Sequence, residues 1–216
     1  MLDMEQTLKI KSDIVIQQCF PHTAQDCYMG HHTFDVERAD ALEDPERYEY
    51  CSREELLAAL DVGPTTDTDA VIADIGSGTG FYTDAVAPCA ELVYAVDVQS
   101  AMHDKYRIKG HPENISFVTA EASSLPFESN ELDAAFSTMT YHEFAGPDAL
   151  SELARVIRPG GRVVTVDWSK TGTGESGPPR SERYELADAV REFTAAGFTT
   201  VNAASRIETF IHISRR

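Results

Sequence analysis

Short β-type runs alternate with helical stretches from residue 70 onward, and this alternation limits the possible folds more than any other feature. The predicted strands are 70–75, 92–97, 115–120, 132–138, 162–168, 198–205 and 208–214. The predicted helices are 79–86, 100–109 with Ser100 as N-cap, 148–157 ended by a turn at 158–161, and 182–196 between Ser181 and Gly197 as caps. Such alternation is typical of a parallel sheet covered by helices, so the sequence predicts an α/β fold.

Residues 1–69 lack this alternation and contain one clear helix, over 52–60. Ser52 and Glu55 have the spacing of a capping box, in which each side chain bonds the other residue's backbone N–H. The 216 residues, 42% of them hydrophobic, suffice for one sizeable core. We interpret residues 70–216 as a single folding unit and residues 1–69 as an N-terminal helical cap or extension.

The chain is strongly acidic, with 36 acids against 18 bases and a formal net charge of -18. Binding to a phosphate backbone depends on clustered cations that release counterions, so nucleic acid is not expected as a substrate. Thirteen of the bases are arginine, five are lysine, and the acids are spread along the whole chain. This pattern resembles that of proteins from salt-accumulating halophiles.

We expect the melting temperature to rise steeply with added KCl. Repulsion among the surface carboxylates is screened when the Debye length falls to about 3 Å at 1 M salt. Thermal melts between low and molar KCl test this hypothesis. A melting temperature independent of salt would mark an ordinary acidic cytosolic protein instead.

The chain has no recognisable membrane or targeting segment. No stretch approaches the roughly 18 consecutive apolar residues that span a bilayer, and residues 1–18 carry acids and polar residues throughout. We therefore expect a cytoplasmic protein without a signal peptide or membrane insertion. The four cysteines show no C-x-x-C spacing, and no acid–histidine helix pair accompanies His31 and His32. Neither a metal site nor a disulfide framework is expected.

A glycine-rich turn, Asp74-Ile75-Gly76-Ser77-Gly78-Thr79-Gly80, follows the first predicted strand and opens a helix. Glycines there allow a sharp turn and a close ligand, while the helix N-terminus presents unpaired N–H groups. A dinucleotide site requires G-x-G-x-x-G, whereas the position three after Gly78 is Phe81. The third glycine comes one residue early, which argues against a nicotinamide enzyme.

Further segments follow the glycine-rich turn in a fixed order. Asp97 ends the second predicted strand, where the two oxygens of a carboxylate match the two hydroxyls of a ribose. Next come Phe-Val-Thr-Ala-Glu-Ala-Ser-Ser-Leu-Pro-Phe at 117–127 and Asp-Ala-Ala-Phe-Ser-Thr-Met-Thr-Tyr-His-Glu-Phe at 133–144. Arg-Pro-Gly-Gly at 158–161 completes the set.

In this order the segments resemble class I S-adenosylmethionine-dependent methyltransferases, in the ubiquinone/menaquinone-biosynthesis-like (type 11) branch. The resemblance covers roughly 71–214. It implies a Rossmann-like, doubly wound, seven-stranded sheet, mostly parallel with an antiparallel last strand, plus the N-terminal helical cap. It also implies S-adenosylmethionine as cofactor, S-adenosylhomocysteine as product and a small-molecule acceptor.

By this resemblance, Asp74 orients the turn or meets the cofactor's amino group, Asp97 binds the ribose, and Glu121 and Ala122 meet the adenine. The implied cofactor-binding residues are Asp74, Gly76, Ser77, Gly78, Thr79, Gly80, Asp97, Val98, Met102, Glu121, Ala122, Thr138 and Met139.

Methyl transfer from a sulfonium requires no nucleophile of the protein, so a general base is optional. His142 is the first candidate for a base, because an imidazole accepts a proton at neutral pH. Glu143 is the alternative, or the partner that orients His142. A loop histidine that only shapes the cofactor site is the competing interpretation.

Candidate acceptor-binding residues lie in three places. Asp167 and Trp168 end the fifth predicted strand, and Arg180 and Arg183 follow it in a loop where they could meet a carboxylate or phosphate. His32 and Phe34 belong to the N-terminal segment that is expected to close the pocket. The identity of the acceptor and a homodimer both stay open.

Two alternative functions stay open beside that of a methyltransferase whose acceptor is unspecified. A thiol or arsenite methyltransferase is suggested by Cys19, Cys27 and Cys51 ahead of the glycine-rich turn, although the paired-thiol arrangement is absent. The other alternative is a non-catalytic module that only binds S-adenosylmethionine. The presence of the pairs His142-Glu143 and Asp167-Trp168 argues against this alternative.

Overall fold

A computed structural model describes residues 33–63 and 69–216. The seven strands are β1 (Val71–Ile75), β2 (Leu92–Asp97), β3 (Ile115–Thr119), β4 (Leu132–Thr138), β5 (Ile157–Trp168), β6 (Thr199–Ser205) and β7 (Thr209–Arg215). The α-helices of the described residues are α1 (Arg53–Leu60), α2 (Phe81–Val86), α3 (Ser100–Lys109), α4 (Tyr141–Phe144), α5 (Pro147–Val156) and α6 (Leu186–Ala195). Short 3₁₀ helices cover Val36–Glu43, Pro45–Glu49, Ala87–Cys89 and Arg180–Glu182.

The strands form one sheet in the order β3-β2-β1-β4-β5-β7-β6. Strands β1 to β5 pair in parallel, and β7 runs antiparallel to both β5 and β6. The predicted doubly wound, mostly parallel sheet with an antiparallel last strand is confirmed. The strand order reverses at β1, which lies between β2 and β4, and ligands of open α/β sheets bind beside such a point.

Two apolar layers cover the faces of the sheet, because successive side chains of a strand point to opposite faces. Ile72 of β1 packs in one layer with Leu56 of α1 and Tyr106 of α3. Ala73 packs in the other layer with Leu150 of α5 and Phe193 of α6. β1 is therefore covered on both faces, as a central parallel strand should be.

The segment 158–161 is part of a strand, contrary to the turn predicted there. Strand β5 begins at Ile157, directly after α5, and the pairing register with β4 shifts at Leu132/Ala134. Gly160 has a φ of +83°, and its N–H donates to the Arg216 carbonyl oxygen at 2.8 Å. Gly160 and Gly161 thus form an irregular start of β5. The sequence pattern had predicted a turn at this position.

The last helix begins later than predicted, at Leu186 instead of residue 182. Its N-cap is Glu185, which forms a capping box with Asp188, so Ser181 is not the cap. Gly197 follows the C-cap Ala196 with a φ of +93°. Two other helix starts differ by one or two residues: Gln99 caps α3 in place of Ser100, and α2 begins at residue 81. None of the described helices is long and apolar enough to span a membrane.

Candidate active site

The glycine-rich turn joins β1 to α2 and is bound to the end of β2. The N–H groups of Gly76 and Ser77 donate to the Val96 carbonyl oxygen at 2.8 and 2.9 Å. Gly76 and Gly78 have φ angles of +78° and +53°, a region that favours glycine. A Cβ on Gly76 would also lie 2.2 Å from Cγ2 of Thr140. The packing of the turn itself therefore requires glycine at position 76.

Asp97 is held by the backbone at the end of β2. Its Oδ2 accepts from the Gly78 N–H and its Oδ1 from the Gln99 N–H, each at 2.8 Å. Burial raises the pKa of Asp97, while these two hydrogen bonds lower it and offset only part of the rise. Each carboxylate oxygen keeps a further lone pair. Asp97 is thus positioned to accept hydrogen bonds from the two hydroxyls of a ribose.

Asp74 is 1% exposed and has one free acceptor atom. Its Oδ2 accepts from the Thr83 hydroxyl at 2.6 Å, whereas Oδ1 has no hydrogen-bond partner within the described residues. Burial raises the pKa of Asp74 to about 7, the Thr83 hydrogen bond lowers it, and the charge of Asp97 raises it further. A buried acceptor without a partner is costly. Asp74 therefore fits the amino group of S-adenosylmethionine.

A cavity of about 770 Å³ lies outside the carboxyl ends of β1, β2, β4 and β5, within the usual size of small-molecule sites. It extends from the glycine-rich turn to His142 and Trp168. The predicted cofactor residues that line it are Asp74, Gly76, Ser77, Gly78, Thr79, Asp97, Val98, Met102, Glu121, Ala122, Thr138 and Met139. The structure thus brings together residues from four separate segments of the sequence.

Gly80 does not line the cavity, and its predicted contact with the cofactor stays a prediction. It is the N-cap of α2, with a φ of +85°. A Cβ there would lie 2.0 Å from the ring of Tyr106 on α3. The close approach of α2 to α3 is what requires glycine at this position.

Gly80→Ala is expected to lower the free energy of unfolding by at least about 2 kcal/mol. The left-handed backbone costs an alanine roughly 1–2 kcal/mol, and displacing a buried ring costs about 1–3 kcal/mol. Thermal denaturation should show a melting temperature lower by about 5 °C or more. Gly110→Ala is the matched control, because Gly110 has a φ of +89° and no atom within 4 Å of the added Cβ. Equal losses in the two variants would contradict the role given to Tyr106.

Residues 33–49 cover one side of the cavity, and Phe34 lines it as predicted. The Gln99 side chain donates to the Phe34 carbonyl oxygen at 2.9 Å. The Thr79 hydroxyl donates to Glu43, whose carboxylate also accepts from Lys109 at 3.1 Å. The N-terminal segment is thereby bound to the glycine-rich turn and to α3.

Arg47 is a cavity-lining residue that the sequence analysis missed. It donates to the Met139 sulfur at 3.6 Å and lies over the rings of Phe81 and Tyr82. Its Nε is buried without a partner in the described part of the chain. A guanidinium suits a carboxylate such as that of S-adenosylmethionine. No motif marks this arginine among the thirteen in the sequence.

His142 and Asp167 form a buried pair beside the cofactor turn. The Asp167 carboxylate, which is 0% exposed, accepts from the His142 backbone N–H at 2.7 Å and meets Nδ1 of the ring at 2.9 Å. His142 lines the cavity, and Nε2 is the ring nitrogen left to meet a ligand. Burial lowers the pKa of His142, but the Asp167 hydrogen bond and the charges of Asp167, Glu143 and Glu182 outweigh it and raise the pKa above 6.5. This arrangement matches an oriented general base.

The orienting partner of His142 is Asp167 rather than Glu143. The Glu143 Oε1 lies 4.0 Å from His142 Nε2, and Glu143 also lines the cavity. The predicted contact between Asp167 and the acceptor is therefore corrected, because Asp167 lies beneath His142 and does not line the cavity. Trp168 does line it, as predicted. His142 lies in α4, which follows β4, and Asp167 lies in β5, the neighbour of β4 in the sheet.

Neither predicted acceptor-binding arginine reaches the cavity. Arg183 is 4% exposed, donates to the Pro178 carbonyl oxygen at 2.8 Å and pairs with Glu208 at 3.4 Å. Arg180 donates to the Thr173 carbonyl oxygen. Both arginines thus hold their own loop together. His32, the remaining predicted acceptor residue, lies outside the described residues.

The described cysteines, Cys51 and Cys89, are each 1% exposed and do not line the cavity. Burial raises the pKa of Cys51 to about 12, with the charge of Glu55 adding to the rise and Arg206 opposing it, so its reactive thiolate form is disfavoured. Cys19 and Cys27 lie outside the described residues.

The family model described as Methyltransferase domain (type 11) matches residues 73–165. The chain is 40% identical over 93 residues to the biotin biosynthesis bifunctional protein BioHC of Cellvibrio japonicus, covering 43% of this chain and 18% of that protein. It is 37% identical over 114 residues to the ubiquinone/menaquinone biosynthesis C-methyltransferase UbiE of Ectopseudomonas mendocina, covering 47% and 43%. The chain thus spans less than half the length of these two relatives.

Among solved structures, a SAM-dependent methyltransferase from Aquifex aeolicus is 26% identical, with a TM-score of 0.74, over 84% of this chain and 98% of that one. The [4+2]-cyclase SpnF shares the fold at 18% identity and a TM-score of 0.65, over 76% and 80%. The fold alone therefore does not imply one reaction. Residues 73–165 therefore match the type 11 methyltransferase domain, within a fold that is shared with S-adenosylmethionine-dependent methyltransferases.

Proposed function

We propose that this chain transfers a methyl group from S-adenosylmethionine to a small-molecule acceptor. The observation that carries the proposal is a single cavity that joins the glycine-rich turn to the His142–Asp167 pair. A module that only bound the cofactor would have no use for a buried acid that orients a histidine toward the ligand. The non-catalytic alternative is therefore disfavoured.

The cofactor side of the cavity offers partners for the amino group, the carboxylate, the ribose hydroxyls and the adenine of S-adenosylmethionine. The free Oδ1 of Asp74 accepts from the amino group, and Arg47 meets the carboxylate. Asp97 accepts from the ribose hydroxyls, and Glu121 with Ala122 meets the adenine. The charged groups are thereby paired in a cavity that is largely apolar.

The cofactor supplies a methyl group on a sulfonium, which is already activated for displacement. The protein's part is to align the acceptor, exclude water and take up a proton. His142 Nε2 accepts that proton from the acceptor, and Asp167 stabilises the resulting imidazolium. Residues 33–49 cover the cavity and limit entry of water.

Calorimetry with S-adenosylhomocysteine, at low and molar KCl, tests the cofactor half of the proposal. We expect micromolar binding and weaker or no binding of NAD. Turnover of methyl-labelled S-adenosylmethionine with a panel of amines, phenols and thiols tests the catalytic half. Binding of NAD without S-adenosylhomocysteine at either salt concentration would reject the proposal and favour a nicotinamide enzyme.

A further inference from the structure

Trp168 and the loop that follows it form part of the cavity at the end beside His142, where the acceptor is proposed to bind. Trp168 is the last residue of β5 and lines the cavity together with Gly177 and Pro178. A Cβ on Gly177 would lie 2.4 Å from Cδ2 of the indole, and the φ of Gly177 is +80°. The backbone of Gly177 thus lies directly against the ring, where a side chain has no room. The position of this segment therefore sets the shape of the cavity beside Trp168.

The Arg183 guanidinium binds both residues that flank Gly177. Its Nε donates to the Pro178 carbonyl oxygen at 2.8 Å, and its Nη2 donates to the Ser176 carbonyl oxygen. The Cζ of the same guanidinium lies over the Trp168 ring, 5.5 Å from the ring centroid. A guanidinium suits this task because its donors are arranged in a rigid, planar fork. One side chain thus contacts the ring and also holds the peptide segment that lies against it.

Arg183 is itself held in place from the other side. Its Nη1 lies 3.4 Å from the Ser169 carbonyl oxygen and 3.4 Å from Oε2 of Glu208. The Glu208 carboxylate also accepts from the N–H groups of Thr173 and Gly174, at 2.9 and 3.2 Å. These partners offset the cost of burying the charge of Arg183. The loop 169–182 is therefore folded around one guanidinium.

We propose that Arg183 is a positioning residue of the acceptor site, which holds residues 176–178 against Trp168 and thereby fixes the wall that the acceptor meets. The inference rests on the proposed function and adds to it a residue outside the cavity lining. A guanidinium that only closed the loop would need its bonds to Ser169 and Glu208. The two further bonds on either side of Gly177 are the ones that act on the wall.

The fluorescence of Trp168 tests the inference in the protein saturated with S-adenosylhomocysteine. Trp168 is the one tryptophan of the sequence and is 9% exposed, so quenching by acrylamide reports how well the ring is covered. Arg183→Gln is expected to raise the quenching constant at least about threefold, because residues 176–178 lose two donors and open more often. Arg180→Gln is the matched control, since Arg180 lies in the same loop and donates to Thr173 instead. Calorimetry should give an unchanged affinity for S-adenosylhomocysteine in both variants.

Steady-state kinetics with an acceptor from the methyl-labelled panel distinguish positioning from general loss of structure. Arg183→Gln should lower kcat/KM for the acceptor by about 10- to 100-fold, the effect of a misplaced binding wall. The loss should lie mainly in the KM for the acceptor, because His142 and Asp167 keep their contacts with each other. A general loss of structure would lower kcat and the affinity for S-adenosylhomocysteine as well.

Gly177→Ala is a second variant, which keeps the guanidinium and disturbs the wall directly. The added Cβ must displace the Trp168 ring, so the emission maximum of Trp168 should shift and the acceptor KM should rise. Gly174→Ala is its matched control, because Gly174 has a φ of +81° in the same loop and an added Cβ there meets the exposed Arg180 side chain. Gly174→Ala should therefore leave the emission and the acceptor KM as they are.

Arg183→Lys keeps the positive charge beside Glu208 but not the fork that spans Gly177, so it should resemble Arg183→Gln. Full recovery with lysine, unchanged quenching in Arg183→Gln, or equal effects of Arg183→Gln and Arg180→Gln would overturn the inference. If S-adenosylhomocysteine does not bind the wild-type chain, it is the proposed function that falls. The quenching comparison needs neither cofactor nor acceptor, so it still decides whether Arg183 holds the loop against Trp168.

Discussion

His142→Gln is expected to lower kcat for methyl transfer by about 10²–10⁴-fold, the usual contribution of a general base. The affinity for S-adenosylhomocysteine should change little, because the imidazole acts on the acceptor. His111→Gln is the matched control, as His111 is exposed and does not line the cavity. A His142→Gln variant with near-normal kcat would mean that the histidine only shapes the site.

The pH dependence of kcat provides a second readout of the same pair. Only neutral His142 accepts a proton, so kcat should fall as the pH falls through the pKa of His142, which lies above 6.5. Asp167→Asn removes the hydrogen-bonded charge that raises this pKa. Its pH profile should therefore shift to lower pH, while the plateau kcat falls because the ring loses its orientation. If the pH profile of kcat for Asp167→Asn is not shifted, the titrating group is one other than His142.

Asp97→Asn is expected to raise the Kd for S-adenosylhomocysteine by about 10²–10⁴-fold. Two hydrogen bonds from ribose hydroxyls to a carboxylate contribute about 1.5–3 kcal/mol each, and every 1.4 kcal/mol corresponds to about tenfold in affinity. The change keeps the size of the side chain and one acceptor oxygen for the backbone. Calorimetry measures the effect directly.

Asp104→Asn provides the control for Asp97→Asn, since it makes the same chemical change at an exposed position on α3. Melting temperatures of both variants show whether the Gly78 and Gln99 contacts have been disturbed. An Asp97→Asn protein that melts normally and still binds with micromolar affinity would remove Asp97 from the ribose site.

Much of the cofactor site could be predicted from sequence because its residues are adjacent in the chain or end predicted strands. A run such as Val71–Ile75, apolar and followed at once by glycines, indicates both a buried strand and the turn after it. Parallel strands bring their carboxyl ends to one edge, so Asp97 and Thr138 were expected beside that turn. The cavity contains both.

The acceptor side was less predictable because it depends on which partner each side chain finds. Nothing local to residues 142 and 143 indicates that Asp167, in β5, binds His142 in place of Glu143. Arg183 is equally ambiguous in sequence, since a loop arginine either meets a ligand or binds carbonyl oxygens nearby. Arg47 reaches the cavity through the fold of the N-terminal segment, which no motif describes.

The position of β7 between β5 and β6 limits the order in which the sheet can assemble. In the described sheet, β6 is an edge strand whose hydrogen-bonded neighbour is β7, although β6 precedes it in sequence. During synthesis, β1 to β5 can pair as each emerges, but β6 has no strand to join until residues 209–215 have been made. Deletion of residues 209–215 would therefore remove β7 and also leave β6 without a neighbouring strand, so this edge of the sheet stays incomplete until those residues have been made.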